Sequence, residues 1–368
     1  MSQTLLQSLT SISYIQSDRV EPSQITVAGW VRTRRSSKKF SFIELNDGTC
    51  AKSLQILVDN SLENYTEVEN LTMGCAVKIQ GRLVLSPAKG QKYELQATHV
   101  ELLGAADPEK FPLQKKEMTF EYLREIAHLR ARTATFSSIF RIRSRMSYAI
   151  HRFFTENGFY YSHTPLLTTA DGEGAGESFK VTNFDLKNVA KFKDGEVDFS
   201  KDFFGESTML CVTGQLEGEL LAMGMGKIYT FGPTFRAENS NTSRHLAEFW
   251  MIEPEMAFAD LEDNMDLAQN LIRYVVKDIL TQCADDLDVC FQKTQVNTRE
   301  YLQLALEKPF VKVSYTEAVD ILVNCGRNFE YAVSWGCDLK SEHERYLCEE
   351  HFQSPTIVYD YPEELKAF

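Results

Sequence analysis

Residues 236–249 contain side chains of the types that bind a nucleotide triphosphate: Arg236, Glu238, His245 and Phe249, with Arg244 next to the histidine. An arginine fork pairs with phosphate oxygens, a second basic group screens the outer phosphates, and a ring offers a surface for the base. The same residue types also fit an exposed turn with a solvated ion pair, the usual outcome for charges near a turn. Residue types alone leave both interpretations open.

Two predicted strands position these side chains. The stretches 227–235 and 249–252 are rich in aromatic and β-branched residues, which favour strands. Residues 239–245 between them include no apolar side chain and are too many for a two-residue hairpin turn, so we expect a loop with a role beyond turning. Arg236 and Glu238 are two positions apart and would share one face of a strand.

The order of residues in this stretch is distinctive enough to identify a family. Residues 235–255, FRAENSNTSRHLAEFWMIEPE, resemble motif 2 of the class II aminoacyl-tRNA synthetases, and the details are similar to the asparaginyl group of bacterial type. The resemblance extends over nearly the whole chain, from GWVRTRR at 29–35 to YDYPEELKAF at 359–368.

The resemblance implies roles for the four side chains. Arg236 would be the catalytic arginine that stabilises charge on the α-phosphate of ATP. Glu238 would hold the adenine amine or the tRNA end, His245 the outer phosphates, and Phe249 the face of the adenine. ATP is the implied cofactor, together with Mg²⁺ that bridges the phosphates.

Composition predicts a globular protein with two domains, since 368 residues exceed what one core usually holds. The net charge of −13 means that any RNA-binding surface must concentrate its positive charge locally. The eight cysteines include no Cys-x-x-Cys pair, and the N-terminus lacks a signal pattern. No apolar run approaches membrane-spanning length, so we expect a cytoplasmic protein without a membrane segment.

Residues 24–103 predict five short strands with glycine-containing turns, the pattern of a small barrel, for which an OB-fold is the leading choice. The expected strands are 24–32, 39–46, 54–59, 75–85 and 93–103. Five positive charges fall within residues 32–39, and in an acidic protein this cluster favours a contact with a polyanion. A solvated strand end remains an alternative.

Aromatic side chains follow the basic cluster. Phe40 or Phe42 would suit stacking on an unpaired RNA base, although both fit the barrel core or rim as well. By resemblance the barrel is the anticodon-binding module, and Arg35, Phe42 and Gln55 would read the anticodon of tRNA(Asn).

A linker at 104–135, with Pro108 and Pro112, leads to predicted helices at 120–129 and 137–157. The second helix has apolar residues at helical spacing and ends at Gly158; a predicted strand over 159–167 follows it. This order resembles motif 1 of the family, which forms a homodimer interface, whereas the periodicity alone fits a core helix equally well. Another amphipathic helix is predicted at 263–282, as core support.

By the same resemblance, two further segments would bind the amino acid, asparagine. The glycine-rich, acidic run 171–177 has no Gly-Lys-Ser/Thr and is therefore no P-loop; by resemblance it closes over the amino acid, with Glu173 near its amino group. Gln215 matches a glutamine that contacts the amino acid. Aspartyl enzymes have a lysine three residues later, where this chain has Gly218, and the missing cation favours a neutral amide substrate.

Two cysteines and two histidines near the C-terminus suggest a zinc site, but we do not expect one. The residue types are right, but most of them lie in a predicted charged helix over 340–351 that accounts for them without a metal, and the family implies none. The residues concerned are Cys337, His343, Cys348 and His351.

These observations together predict an α+β protein: an OB-fold barrel at 1–103, a linker at 104–135, and at 136–368 a class II synthetase antiparallel sheet flanked by helices. The implied reaction joins asparagine to tRNA(Asn) through an asparaginyl-adenylate. Partners would be the tRNA, asparagine and a second copy of the chain.

One family feature is missing from the 368 residues. No Gly-x-Gly-x-Gly-x-x-Arg motif, the family's third, occurs. We therefore expect a C-terminally incomplete catalytic domain, without the metal ligands that precede this motif, and a polypeptide that ligates poorly or not at all. The alternatives are a non-catalytic tRNA-binding remnant and an aspartyl-type enzyme, against which Gly218 argues.

Overall fold

The computed structural model describes residues 9–17, 19–87, 90–114, 118–170, 172, 177–239, 245–295 and 298–366. Contacts group the chain into two compact units, Met1–Arg145 with Ile279–Arg299 and Met146–Asp278 with Glu300–Phe368. The predicted domain limits at residues 103 and 135 both fall inside the first unit and stay predictions. No helix within the described ranges is long and apolar enough to cross a membrane.

Helices and strands are numbered in chain order. The helices are α1 (Ile12–Gln16), α2 (Tyr65–Glu69), α3 (Phe120–Glu125), α4 (Ala127–Arg130), α5 (Ala134–Glu156), α6 (Gln215–Met225), α7 (Leu261–Gln282), α8 (Ala284–Thr294), α9 (Thr298–Glu307), α10 (Tyr315–Asn324) and α11 (Ser341–Arg345). The strands are β1 (Gln24–Ser36), β2 (Phe40–Asn46), β3 (Leu54–Asp59), β4 (Ala76–Leu85), β5 (Tyr93–Gly104), β6 (Tyr160–Tyr161), β7 (Leu167–Thr168), β8 (Lys180–Val181), β9 (Thr208–Leu210), β10 (Lys227–Phe235), β11 (Glu248–Met256), β12 (Val311–Ser314) and β13 (Thr356–Tyr359).

The first five strands form a closed barrel in the order β1–β2–β3–β5–β4, which confirms the predicted barrel. Alternate residues of each strand point inward; on β4 these include Val77, Ile79 and Leu83, all fully buried. Gly81 lies in the same row, where a Cβ would be only 2.3 Å from the carbonyl oxygen of Gln96, so only glycine allows β4 and β5 to approach this closely.

Strand β1 is four residues longer than predicted. Its first half pairs with β4 and its second half, from Trp30 to Ser36, pairs with β2, with an irregularity between Val31 and Thr33. The bulge bends the strand so that one continuous segment serves two neighbours around the barrel. A pattern of alternating residues stops at such a bulge, which is why the sequence indicated an early end.

The predicted helix at 120–129 is wrong as a single element. Ile126 leaves the helical region with φ −100° and ψ 42°, and this divides the segment into α3 and α4. Thr119 caps α3 by accepting a hydrogen bond from the Tyr122 amide.

Arg141 on α5 joins three parts of the first unit. Its guanidinium donates to Asp286 on α8, at 2.7 Å from Nη2 to Oδ1, and to the carbonyl of Gly48 in the β2–β3 turn at 2.8 Å. Ser138 donates a further hydrogen bond to Asp286. Because both charged groups are largely buried, removing either one would leave an uncompensated charge.

The second unit is built around a three-stranded sheet in the order β11–β10–β6. Strands β10 and β11 form an antiparallel ladder, and β6 runs parallel to β10. The strand predicted over 159–167 is reduced to the short pieces β6 and β7. The ladder ends where Ser162 donates to the carbonyl of Tyr229, and Pro165, shortly after, has no amide to donate.

Helix α5 covers one face of this sheet with rings. Phe154 stacks on Tyr229 at a centroid distance of 4.4 Å, and the Nδ1 of His151 is hydrogen-bonded to the Tyr229 hydroxyl at 2.7 Å. The opposite face of the sheet is therefore the one left for a ligand.

The C-terminal part of the second unit has its own small core beneath α10 and the parallel pair β12–β13. The helix predicted over 340–351 is only partly α-helical, because residues 346–351 follow a π-helix. His343 is buried, and its two ring nitrogens bond to the Lys340 amide and the Tyr331 carbonyl. The described residues include no group of three His, Cys, Asp or Glu side chains arranged for a metal.

Candidate active site

The register of β10 and β11 puts one row of facing pairs on the side of the sheet away from α5. Thr234 faces Phe249, Thr230 faces Glu253, and Ile228 faces Glu255. Directly opposite residues of an antiparallel pair point to the same side, so these six side chains form one surface, which we call the site face. The Arg236 amide extends the ladder by donating to the carbonyl of Ala247 at 3.1 Å.

Arg236 and Phe249 meet at one end of the site face. The guanidinium carbon is 5.5 Å from the centroid of the Phe249 ring, a cation–π distance. The Nε of Arg236 is buried and has no hydrogen-bond partner among the described residues. A buried donor without an acceptor is costly, and an oxyanion placed here would satisfy it. This end of the face therefore fits a phosphate.

Glu238 and His245 border residues 240–244, which lie outside the described residues and include Arg244. Both side chains are exposed. The Ala237 amide between Arg236 and Glu238 donates to the Glu177 carbonyl at 2.6 Å, which fixes the start of the predicted loop. The structure thus brings Arg236 and Phe249 together and leaves Glu238 and His245 at the rim.

The other end of the site face is capped by the start of α6. Glu253 accepts hydrogen bonds from the hydroxyls of Thr213 and Thr230, the latter at 2.6 Å, and from the Gly214 amide at 3.1 Å. Gln215 is the first residue of α6 and follows directly. Its Nε2 donates to the Oε1 of Glu219 at 3.1 Å. The predicted asparagine-binding glutamine is therefore held by Glu219, directly after the segment whose Thr213 and Gly214 donate to Glu253.

Gly218 lies one turn further along α6 and packs on the sheet. A Cβ at this position would be 3.3 Å from the Cδ1 of Ile228 and 3.5 Å from the Cγ of Glu255. Burial raises the pKa of Glu255 from 4.5 to about 7, with further contributions from the charges of Glu219 and Glu253. Three carboxylates thus lie close together where aspartyl enzymes are expected to have a lysine.

Arg236 and Thr230 are six residues apart on an extended chain, which separates the two ends of the site face by about 20 Å. A phosphate-binding end and an acidic, amide-rich end on one open surface suit an elongated ligand better than a compact one.

Glu173 lies outside the described residues. Its neighbour Gly172 is buried next to the acidic end, where a Cβ would meet the side chains of Val212 and Thr213 at 2.6 and 2.8 Å. Only glycine fits there without a shift of these two side chains.

The three predicted anticodon-binding residues lie together on the barrel. Arg35, Phe42 and Gln55 line one groove with a volume of about 720 Å³. Arg35 faces Phe42 across β1 and β2, and Gln55 lies on the neighbouring β3. Lys52 and Lys92 also border the groove, and the sequence reasoning did not single them out.

Sequence reasoning missed Glu253 and Glu255. Part of the signal was present, because both have the same parity as Phe249, so all three side chains point to one face once the strand predicted over 249–252 is extended to residue 255. Nothing in the sequence indicated that Thr213, Gly214 and Thr230 would converge on Glu253 from two other elements.

Family comparisons agree with this geometry. Residues 119–368 match the model of class II tRNA synthetases (D, K and N), and residues 25–103 match the OB-fold nucleic acid binding domain. The asparagine–tRNA ligase of Oleidesulfovibrio alaskensis is 56% identical over 344 residues, covering 94% of this chain and 74% of the relative. The enzyme of the same name from Cytophaga hutchinsonii is 54% identical over 345 residues, with the same coverage.

A solved structure has the same fold. The asparaginyl-tRNA synthetase of Pyrococcus horikoshii, complexed with asparaginyl-adenylate, superposes with a TM-score of 0.79 at 27% identity, covering 97% of this chain and 75% of that one. The family match spans the site face, the capping helix α6 and the helix α5 behind the sheet, and a separate match covers the barrel. This chain belongs to the class II tRNA synthetases of the D, K and N group, with an OB-fold domain at its N-terminus.

Proposed function

We propose that this protein is an asparagine–tRNA ligase. The asparagine carboxylate attacks the α-phosphate of ATP, giving asparaginyl-adenylate and pyrophosphate. A hydroxyl of the terminal ribose of tRNA(Asn) then takes the aminoacyl group and AMP leaves. Relatives of this name at 54% and 56% identity support the assignment. So does the structural likeness to a protein that was crystallised with asparaginyl-adenylate.

The buried, unpartnered Nε of Arg236 carries the proposal on the structural side. We assign the α-phosphate to this guanidinium, where it stabilises the charge that develops on adenylation. Phe249 supplies the surface for the adenine, Glu238 holds the adenine amine or the tRNA end, and His245 the outer phosphates. No side-chain nucleophile is needed, because alignment and charge stabilisation carry the reaction.

The acidic end of the site face favours asparagine over aspartate. Glu255 packs against the position of Gly218, with Glu219 and Glu253 nearby, and among the described residues the hydrogen-bond donors to Glu219 and Glu253 are amides and hydroxyls rather than cations. The carboxylate of aspartate would add a further negative charge there, whereas the amide of asparagine donates hydrogen bonds to carboxylates. Gln215 contacts the amino acid from the start of α6.

Magnesium would accompany ATP and offset the charge of its phosphates. No group of three His, Cys, Asp or Glu side chains among the described residues is arranged to hold it. The roles assigned to the protein side chains above do not depend on it.

The barrel groove supplies the tRNA contact. Arg35 provides charge, Phe42 a ring for an unpaired base, and Gln55 hydrogen bonds to a base edge. For the homodimer, Tyr161 and Trp250 on the α5 side of the sheet are each about half exposed and offer apolar surface beside that helix. Sedimentation velocity of the purified chain tests this assembly.

Binding of adenylate analogues tests the main proposal. We expect the non-hydrolysable sulfamoyl analogue of asparaginyl-adenylate to bind, by isothermal titration calorimetry, at least about tenfold more tightly than the aspartyl analogue, because only the amide pairs with the carboxylates. Equal or tighter binding of the aspartyl analogue would contradict the assignment of asparagine. Failure of both analogues to bind would contradict the assignment of the site.

A further inference from the structure

A second cavity lies on the first unit, on the side of β1 where the linker packs against the barrel. Its volume is about 880 Å³, and it is bordered by Trp30 and Arg32 of β1 and by Phe111, Leu113 and Arg132 of the linker. Ligand sites in proteins have volumes of roughly 300–1,000 Å³, so the cavity is of the right size for a small molecule. The proposed function does not use it.

The apolar wall of the cavity is closely packed. Leu113 and Leu123 are buried, and the ring of Phe111 occupies the space that a Cβ on Gly74 would need, at 2.6 Å. Gly74 has φ +91°, which side-chain-bearing residues rarely adopt. The glycine therefore serves two needs at once, the conformation of the turn and the space for the Phe111 ring. The apolar wall is therefore preformed.

Two guanidinium groups face this cavity without a carboxylate partner. The guanidinium of Arg132 lies over the rings of Trp30, at 5.1 Å, and Phe111, at 5.9 Å. Neither it nor the guanidinium of Arg32 has an ion pair or a hydrogen bond to another described residue.

The neighbouring carboxylates have other partners. Asp47 accepts from the Ile12 amide and from Thr49, and Glu44 accepts from Thr33. Burial lowers the pKa of Arg32, and the positive charges of Arg132 and Arg141 lower it further against the raising effect of Glu44. Arg32, Arg132 and Lys293 outnumber Glu44 and Asp47 around the cavity by one charge, so the lining carries a net positive charge that an anion would offset.

We propose that this cavity binds a small aromatic anion, a phosphate monoester attached to a planar ring, with the phosphate between Arg32 and Arg132 and the ring against Trp30 and the apolar wall. Arginine forks match phosphate oxygens, and the exposed part of the Trp30 indole gives the ring a stacking surface. A nucleoside monophosphate has this chemistry. The site is distinct from the groove of Arg35, Phe42 and Gln55.

A comparison of phenyl phosphate with inorganic phosphate and with phenol separates the contribution of the phosphate from that of the ring. The chain has three tryptophans, so a Trp250→Phe/Trp335→Phe background makes Trp30 the only tryptophan reporter. We expect phenyl phosphate to quench Trp30 saturably and to bind at least about tenfold more tightly than phosphate or phenol, since only it makes both contacts. Phenyl phosphate that binds no better than phosphate would refute the combined site.

Arginine variants in the same background locate the phosphate. Arg132→Gln and, as a second variant in case the first disturbs folding, Arg32→Gln should each weaken phenyl phosphate about tenfold. Arg130→Gln is the matched control, because Arg130 stacks on Phe136 and Phe140 and does not border the cavity. An equal loss in Arg130→Gln, no loss in the other two, or quenching by tRNA and not by phenyl phosphate would each overturn the proposal.

Discussion

The barrel groove and the site face are both polar surfaces on β-strands, but they are built in opposite ways. The groove presents exposed charges such as Arg35 on β1 and Lys52 in the turn between β2 and β3, the latter in an exposed ion pair with Asp285. The site face depends on Arg236, whose Nε is buried, and on Glu253, which accepts from three donors.

The difference teaches how each surface selects its ligand. Many exposed charges attract a long polyanion with modest energy per contact and a strong dependence on salt. A few buried groups that need a partner discriminate between small ligands, because a wrong ligand leaves them unsatisfied. The predictions below separate the two surfaces.

Substitution of Arg236 should have the largest effect. Arg236→Gln removes the charge and the fork, so we expect the asparaginyl sulfamoyl analogue to bind about 100-fold more weakly, measured by calorimetry. Arg236→Lys keeps the charge without the fork, so its affinity for the analogue should lie between those of the parent protein and Arg236→Gln. Affinity for tRNA(Asn) should be retained through the barrel. Analogue binding that survives Arg236→Gln unchanged would contradict the phosphate assignment.

Removal of a ring from the barrel groove should have the next largest effect. Phe42→Ala deletes the proposed stacking surface, and we expect tRNA(Asn) to bind about tenfold more weakly in a filter-binding assay. Phe40→Ala is the control, since Phe40 lies two residues earlier on β2 and does not line the groove. Analogue binding should be the same in both variants. An equal loss of tRNA affinity in the control would argue against stacking at Phe42.

The carboxyl of Glu255 should make stability depend on pH. Its folded pKa of about 7 exceeds the ordinary 4.5, so its stabilising contribution is complete below about pH 4.5 and is lost as the pH rises through 7. Glu255→Gln removes this loss. We expect the variant to be more stable relative to the parent at pH 8 than at pH 5: its free energy of unfolding minus that of the parent should rise by about 1–2 kcal/mol, a value reduced for solvent screening at this half-exposed site.

Urea unfolding at the two pH values measures the effect of Glu255. Glu248→Gln is the control, because Glu248 is exposed on the opposite face of the same strand. A relative stability that does not change between pH 5 and pH 8 would mean that Glu255 ionises normally.

Salt dependence should give the smallest effect. Arg35→Gln removes one proposed phosphate contact, so the slope of log affinity for tRNA(Asn) against log salt concentration should fall in magnitude by about one. The binding of the asparaginyl analogue should show no change in slope. An unchanged tRNA slope would place Arg35 outside the RNA contact.

Patterns that repeat within one element were predictable from the sequence. The barrel strands alternate around a single core, and four of the five predicted strands have bounds within one residue of those observed. Arg236 and Phe249 were predictable as neighbours, because they flank one loop between two paired strands.

Features that depend on a partner element were not predictable. The bulge in β1 depends on its pairing with both β2 and β4, which no pattern within β1 indicates. The convergence of Thr213, Thr230 and Glu253 joins three separate segments, and no spacing rule relates them. From the sequence alone Glu255 is an ordinary acid. Only the structure shows that it is partly buried beside helix α6, which raises its pKa.

The close packing of Gly218 against Ile228 also constrains how substrate choice can change. A lysine at 218 would complement an aspartate carboxylate, but its first carbon would press on the Ile228 methyl group at 3.3 Å. The end of the Ile228 side chain would have to move by a few tenths of an ångström to admit it. How easily substrate choice could change by this one substitution is therefore set by the freedom of an apolar side chain that the amino acid itself does not need to touch.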